Sequence, residues 1–182
     1  MFIEQGIKPE NKFWKYILGF LLFMIAYTIG QVPFTLAVLY KSTSMGKGIP
    51  TDPSELMNVL DSNLTLFLLL LTFVAAFIGI YIAVRYINQQ KFIEIVTARK
   101  KVDWNRVFFS FSLWAVFTIV SIAIMYYTSP QDFVVNFNLV PFLGLAVIAI
   151  LLIPIQTSTE EFVFRGYLMQ GFGNLGLTKW FP

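Results

Sequence analysis

Long apolar runs alternate with short polar stretches along the chain. Four of these runs can cross a hydrocarbon core of about 30 Å, which takes about 20 residues of helix. They lie near residues 16–40, 64–87, 107–127 and 139–155. Lipid-exposed backbone must form its hydrogen bonds within its own segment, so such runs favour helices over strands. The pattern predicts an all-α, polytopic helical membrane protein with four spans, forming a single membrane domain over residues 1–182.

The stretches between the runs contain signals for helix starts. Asp52, Pro53 and Glu55 suit the N-cap, the first and the third helical positions, and they predict a short helix over residues 54–60. Asp103 can cap the helix of the third span.

Composition supports a membrane protein and limits its chemistry. Of 182 residues, 57% are hydrophobic and 13% charged, whereas a soluble domain has about a quarter charged residues. The chain contains neither cysteine nor histidine. Thiol chemistry and the usual transition-metal ligands are therefore absent, and carboxylates are the remaining metal donors.

The basic residues predict an orientation. They concentrate in the N-terminal lead and in residues 88–106, whereas residues 128–138 contain no Lys or Arg. The positive-inside rule then places the N-terminus, the basic loop and the segment after Pro154 in the cytoplasm. Within the basic loop, apolar positions at 92–96 suggest a helix on the membrane surface. Such a juxtamembrane cluster ordinarily contacts lipid, so we expect a lipid bilayer as partner and no nucleic acid.

A polar stretch directly follows the fourth run. Pro154 interrupts the hydrogen-bond ladder of the incoming helix. Two overlapping Ser/Thr-x-x-Glu capping boxes then occupy residues 157–161, so a separate motif helix is predicted over residues 157–170. The glycine-rich segment 171–176 should end it.

This motif helix contains the candidate chemistry. Glu161 and Arg165 are four residues apart in the order that favours an ion pair. Glu160 has Phe164 at the corresponding position, so its carboxylate is left without that cation. Charges inside a bilayer cost about 2.5–3.5 kcal/mol on insertion scales and usually serve function. A free carboxylate there can act as a general base.

The segment Glu160-Glu161-x-x-x-Arg165, continued by Gly-Tyr-Leu, resembles the first motif of the CAAX prenyl endopeptidase/abortive-infection family of intramembrane proteases. The resemblance implies that Glu160 activates the attacking water and that Glu161 and Arg165 hold the site together. The family also has a later Phe-x-x-x-His motif and a His-x-x-x-Asn-type motif. This chain has no histidine, so the resemblance implies the N-terminal part of the family domain. The chain is thus expected to be truncated before further spans, with residues 179–182 approaching a fifth.

The function expected from this resemblance is that of a membrane-embedded endopeptidase acting on a membrane-associated peptide or protein substrate. A cofactor is not readable from the sequence; a divalent metal ion is one option, with Glu160 as its candidate ligand, and carboxylates would suit Mg²⁺ or Ca²⁺. One alternative is a non-catalytic membrane protein of the same lineage with an immunity or scaffold role. Another is a fragment of a transporter or channel with Glu160 as a proton or cation relay.

Overall fold

Helices account for all regular secondary structure that a computed structural model of the chain describes. The described residues are 2, 5, 6, 11–46, 48, 52–99, 101–134 and 136–175, and they contain no strand. Four helices are long and apolar enough to cross a membrane: Phe13–Ser44, Ser62–Ile87, Trp104–Thr128 and Leu139–Gly173. The prediction of an all-α, polytopic helical membrane protein with four spans is confirmed.

Two of the four spanning helices contain π-helical turns. The elements in chain order are α1 (Phe13–Ser44), α2 (Pro53–Met57), α3 (Ser62–Ile82) with the turn π1 (Ala83–Ile87), α4 (Phe92–Val96), α5 (Trp104–Thr128), a 3₁₀ turn (Pro130–Asp132), and α6 (Leu139–Glu161) with π2 (Phe162–Leu168) and α7 (Met169–Gly173). They form two compact units, one from residues 1–98 and 140–182 and the other from residues 99–139.

Small residues let α1 and α3 approach closely. A side chain at Gly30 would come within 2.9 Å of the Cα atom of Thr72 and of the Cβ atom of Ala75. The Thr72 hydroxyl donates a hydrogen bond to the Gly30 carbonyl at 3.2 Å. Such small interfacial residues are how membrane helices gain packing contacts without a hydrophobic driving force.

The buried core of the first unit brings both π-helical turns together. Its members come from α1, α3, π1, α4 and π2: Tyr16, Phe23, Ala76, Ile80, Ala83, Val84, Ile95, Val163 and Tyr167. The segment that follows the two glutamates therefore packs against the buried residues of α1 and α3.

The two predicted helix caps are present. The Asp52 carboxylate accepts a hydrogen bond from the Ser54 backbone amide at 2.9 Å, and the bonds from Ser54 lower the pKa of Asp52. The short helix ends at Met57, before the predicted end. Asp103 caps α5 by accepting from the Arg106 amide, as predicted.

The predicted helix break at Pro154 is wrong. Helix α6 continues through Pro154 to Glu161. The Thr157 hydroxyl, instead of capping a new helix, donates back to the Ile153 carbonyl at 3.1 Å and lies 3.3 Å from that of Pro154. This back-bonding is typical of a threonine inside a continuous helix, and it takes the hydroxyl away from a capping role.

The predicted surface helix in the basic loop exists as α4, but its apolar side packs against protein. Ile95 is buried, and the Phe92 ring lies 5.6 Å from Phe77 and 5.3 Å from Phe162 between centroids. Two parts of the segments used above lie outside the described residues: position 100 of the basic loop and residues 176–182.

Candidate functional site

The ion pair predicted within the motif is formed. The Arg165 guanidinium Nη1 lies 2.5 Å from Glu161 Oε1, and the two side chains are 75% and 52% exposed. Glu161 ends α6 and Arg165 lies in π2. The guanidinium thus neutralises one of the two adjacent carboxylates.

Glu160 has a different partner. Within the described part of the chain it forms no ion pair, and its Oε1 accepts a hydrogen bond of 3.4 Å from Gln156 Nε2, one turn earlier on α6. Sequence reasoning missed Gln156, although an amide four residues from an acid is a recognisable helical pairing. The two adjacent carboxylates therefore have different partners: an arginine for Glu161 and a glutamine amide for Glu160.

The two glutamates of the motif lie inside the fourth spanning helix, beside the second one, and not beyond the end of the fourth helix. The buried Thr159 hydroxyl donates to the Ile155 carbonyl at 2.6 Å and lies 3.5 Å from the carbonyl of Phe73. Phe73 is near the middle of the helix Ser62–Ile87. At 1.5 Å per residue, Glu160 lies about 10 Å along the helix before Tyr167.

A π-helical turn begins directly after the glutamates. Val163, Gly166 and Tyr167 in π2 are buried. At Gly166 the backbone approaches α4 so closely that a side-chain carbon would collide with the Ile95 carbonyl oxygen. π-Helical turns occur frequently at functional sites, and the sequence offered no periodic signal for this one.

Polar bonds fix the far end of the motif to the loop after the second span. The Tyr167 hydroxyl donates to Asn88 Oδ1 at 2.8 Å. Gln170 Nε2 donates to the Glu94 carbonyl at 2.7 Å. Both side chains are fully buried, so these bonds replace water for groups that would otherwise be costly to bury.

Within the first unit, one cavity borders the motif and another lies beside Gln156, just before it. One, of about 420 Å³, is lined by Glu161 and Arg165 together with α4 and the residues after it. The other, of about 510 Å³, is lined by residues of α1 and α3 together with Gln156. The paired glutamate therefore lines one cavity, while Glu160 is hydrogen-bonded to a residue that lines the other.

The donors for a divalent metal are few. The described residues contain no group of three or more His, Cys, Asp or Glu side chains that could hold an ion. Glu161 is already paired with Arg165, which leaves Glu160 as the unpaired carboxylate of the motif.

Fold and composition define the chain as a polytopic helical integral membrane protein. It is similar to a protein of Bacillus subtilis (strain 168) named "Uncharacterized protein YyaK", with 31% identity over 172 residues. The alignment covers 94% of this chain and 57% of that protein, so the chain spans less than three fifths of the relative's length. No family model matches the chain, and no solved structure matches it.

Proposed function

We propose that the protein is a membrane-embedded endopeptidase resembling the CAAX prenyl endopeptidases, with Glu160 as the general base and with Glu161 and Arg165 holding the site together. One observation carries this proposal. On consecutive residues of a spanning helix, Glu161 is neutralised by Arg165, whereas Glu160 accepts only an amide hydrogen bond within the described chain.

In the proposed reaction, Glu160 takes a proton from a water molecule while the water oxygen attacks the scissile carbonyl carbon. The tetrahedral intermediate then breaks its C–N bond, and the proton on Glu160 passes to the leaving amine. Positioned general bases typically contribute about 10²–10⁴ in rate. Arg165 pairs with Glu161 and holds it away from the attacking water. The substrate is a peptide or protein held at the membrane.

The proposal is tested with Glu160→Gln in the protein as its gene encodes it, reconstituted in proteoliposomes. We expect loss of cleavage of a membrane-anchored peptide by at least about 100-fold, with an unchanged melting temperature, because the amide keeps the shape and removes the base. Glu55→Gln, on the exposed helix α2, is the matched control and should cleave normally. Wild-type cleavage by Glu160→Gln would refute the general-base role.

A second candidate is a non-catalytic membrane protein of the same lineage, with an immunity or scaffold role. The exposed pair of Glu161 and Arg165 favours it, because an ion pair within one helical turn needs no catalytic role. A wild-type protein that folds and cleaves no membrane-anchored peptide under any condition, with Glu160→Gln behaving identically, would support this second candidate.

The orientation follows from the basic residues and belongs to the same proposal. We infer that the N-terminus, Lys101 and the motif end of the fourth spanning helix face the cytoplasm. The chain has no native cysteine, so Lys101→Cys and, as its counterpart, Ser129→Cys can each be labelled alone. Ser129→Cys should react with an impermeant maleimide outside intact cells and Lys101→Cys only after lysis; the reverse pattern would invert the topology.

A further inference from the structure

The cavity of about 510 Å³ between α1, α3 and α6 lies halfway along a spanning helix. Thr72 and Phe73 in its wall are near the middle of the helix Ser62–Ile87. Its volume falls within the range of about 300–1,000 Å³ that is typical of ligand sites. Polar residues nevertheless line it at this depth, and polar residues inside a membrane are costly and usually serve function.

Some polar side chains that line this cavity already form hydrogen bonds, whereas others have hydrogen-bonding groups to spare. The hydroxyls of Thr35 and Thr72 donate to helix carbonyls, those of Gln31 and Gly30, each at 3.2 Å. The side-chain amide of Gln31 has no hydrogen bond within the described residues. The side-chain amide of Gln156 donates one N–H to Glu160. Its carbonyl oxygen accepts no hydrogen bond within the described residues. The cavity thus presents two primary amides with free hydrogen-bonding capacity.

A primary amide offers the same donor and acceptor pair as a peptide group. A helical peptide in the bilayer satisfies its own backbone and has no use for such partners, whereas an unwound one needs them. We propose that this cavity binds an unwound, non-helical segment of the substrate's main chain through Gln31 and Gln156. The proposal rests on the proposed function, because a peptide bond must leave its helix before water can attack it.

Gln156 then has a double role. Its carbonyl oxygen would accept from a substrate N–H while its Nε2 orients the carboxylate of Glu160. It is a positioning residue, since it acts on the reaction through Glu160. Gln31, on α1, does not contact Glu160 and would only bind. The two glutamines are therefore expected to differ in which kinetic constant they control.

The binding test uses the Glu160→Gln protein in proteoliposomes, so that it does not depend on cleavage. A photoreactive benzoylphenylalanine replaces Phe34, which lines the cavity. The probes are two synthetic peptides with a 20-residue Leu/Ala span, one uninterrupted and one with Gly-Gly-Pro at its centre. We expect the interrupted peptide to crosslink more strongly, and Gln31→Leu and Gln156→Leu each to lower its crosslinking about fivefold, the effect of one lost hydrogen bond.

Gln131→Leu is the matched control, since this glutamine is exposed outside the spanning helices, and it should leave crosslinking unchanged. Equal crosslinking of both peptides, crosslinking to lipid alone, or no effect of the two cavity substitutions would overturn the proposal. Any of these outcomes leaves the role of Glu160 in cleavage standing. Conversely, wild-type cleavage by Glu160→Gln removes the proposed function without changing the binding result.

Kinetics of the otherwise unaltered protein provide the second readout. Gln31→Leu should raise KM about fivefold with kcat unchanged, because it removes only a binding contact. Gln156→Leu should raise KM and also lower kcat, since Glu160 loses its orienting partner. If both variants changed kcat alone, with KM at the wild-type value, the cavity would not be the binding site.

Discussion

The two halves of the helix from Leu139 to Gly173 follow opposite rules of burial. Its first half, residues 139–158, is the apolar one, and none of its residues is buried. Its second half contains two glutamates and an arginine, yet it supplies the buried positions: Thr159, Val163, Gly166, Tyr167, Gln170 and Gly171. Hydrophobicity and burial are thus inversely distributed along one helix.

Lipid explains this inversion. Apolar side chains lose nothing by facing hydrocarbon, so burial within the protein brings them little. Groups that cannot be satisfied by lipid need partners in the protein. Tyr167 and Gln170 find such partners in Asn88 and Glu94, 79 and 76 residues away in the chain. In the first half, by contrast, the Thr157 hydroxyl bonds to its own helix. The Asn63 side-chain amide donates to the Pro141 carbonyl there.

Among the substitutions considered, those of glycine should give the largest difference in folding stability between the two halves. Gly166→Ala places a carbon against the Ile95 carbonyl oxygen, which belongs to rigid backbone. We expect a loss of about 1–3 kcal/mol or more of folding free energy from overpacking. The measurement is folded yield and thermal midpoint after extraction in detergent.

Gly144→Ala in the first half is the matched control. There the nearest atom to an added carbon is Asn63 Nδ2 at 3.2 Å, the end of a flexible side chain. Alanine also suits a helix better than glycine by up to about 1 kcal/mol. Gly144→Ala should therefore fold as well as wild type; equal losses for the two variants would mean that burial does not separate the halves.

Removing a hydroxyl group is expected to have the next largest effect. Tyr167→Phe leaves the buried Asn88 Oδ1 without its donor, and an unsatisfied buried group costs about 1–3 kcal/mol. The corresponding change in the first half, Thr157→Val, removes a hydroxyl that faces outward on its own helix. It should cost under about 0.5 kcal/mol. The difference in thermal midpoint between the two variants measures the contribution of the long-range network.

The features that could be predicted from the sequence are those that depend on neighbours along the chain. The four apolar runs predict the four spanning helices, Asp52 and Asp103 predict the caps of α2 and α5, and the spacing of Glu161 and Arg165 predicts their ion pair. Each of these depends on segment length or on residues within one helical turn. Local rules therefore suffice for them.

The features that were missed depend on partners that are distant in the chain. The π-helical turn after Glu161 places Gly166 against Ile95, and α4 packs on Phe77 and Phe162, contacts that periodicity cannot anticipate. The break predicted at Pro154 failed for a local reason, since the back-bonding of a threonine hydroxyl competes with its capping role.

The ion pair itself should contribute least to stability. Removing one partner of a fully buried ion pair strands the other charge, at a cost of about 3–5 kcal/mol. With side chains 52% and 75% exposed, at the end of the helix that faces the cytoplasm on the proposed orientation, the pair instead corresponds to the surface class of about 0.2–1 kcal/mol. We therefore expect Glu161→Gln and Arg165→Gln to fold nearly as well as wild type. Their coupling in a double-mutant cycle should be about 0.3–0.5 kcal/mol and should shrink in high salt.

Arg106→Gln provides the comparison, because it removes an exposed guanidinium 3.2 Å from Asp103, far along the chain from the motif, while Asp103 keeps its ion pair with Arg99. Both pairs should shift the thermal midpoint by similar small amounts. Cleavage should distinguish them: on the proposed function, only the loss of Glu161 or Arg165 lowers it. If Glu161→Gln instead destabilised the protein as much as Gly166→Ala does, the pair would be a buried structural contact, and the division between the two halves of the helix would begin before Glu161.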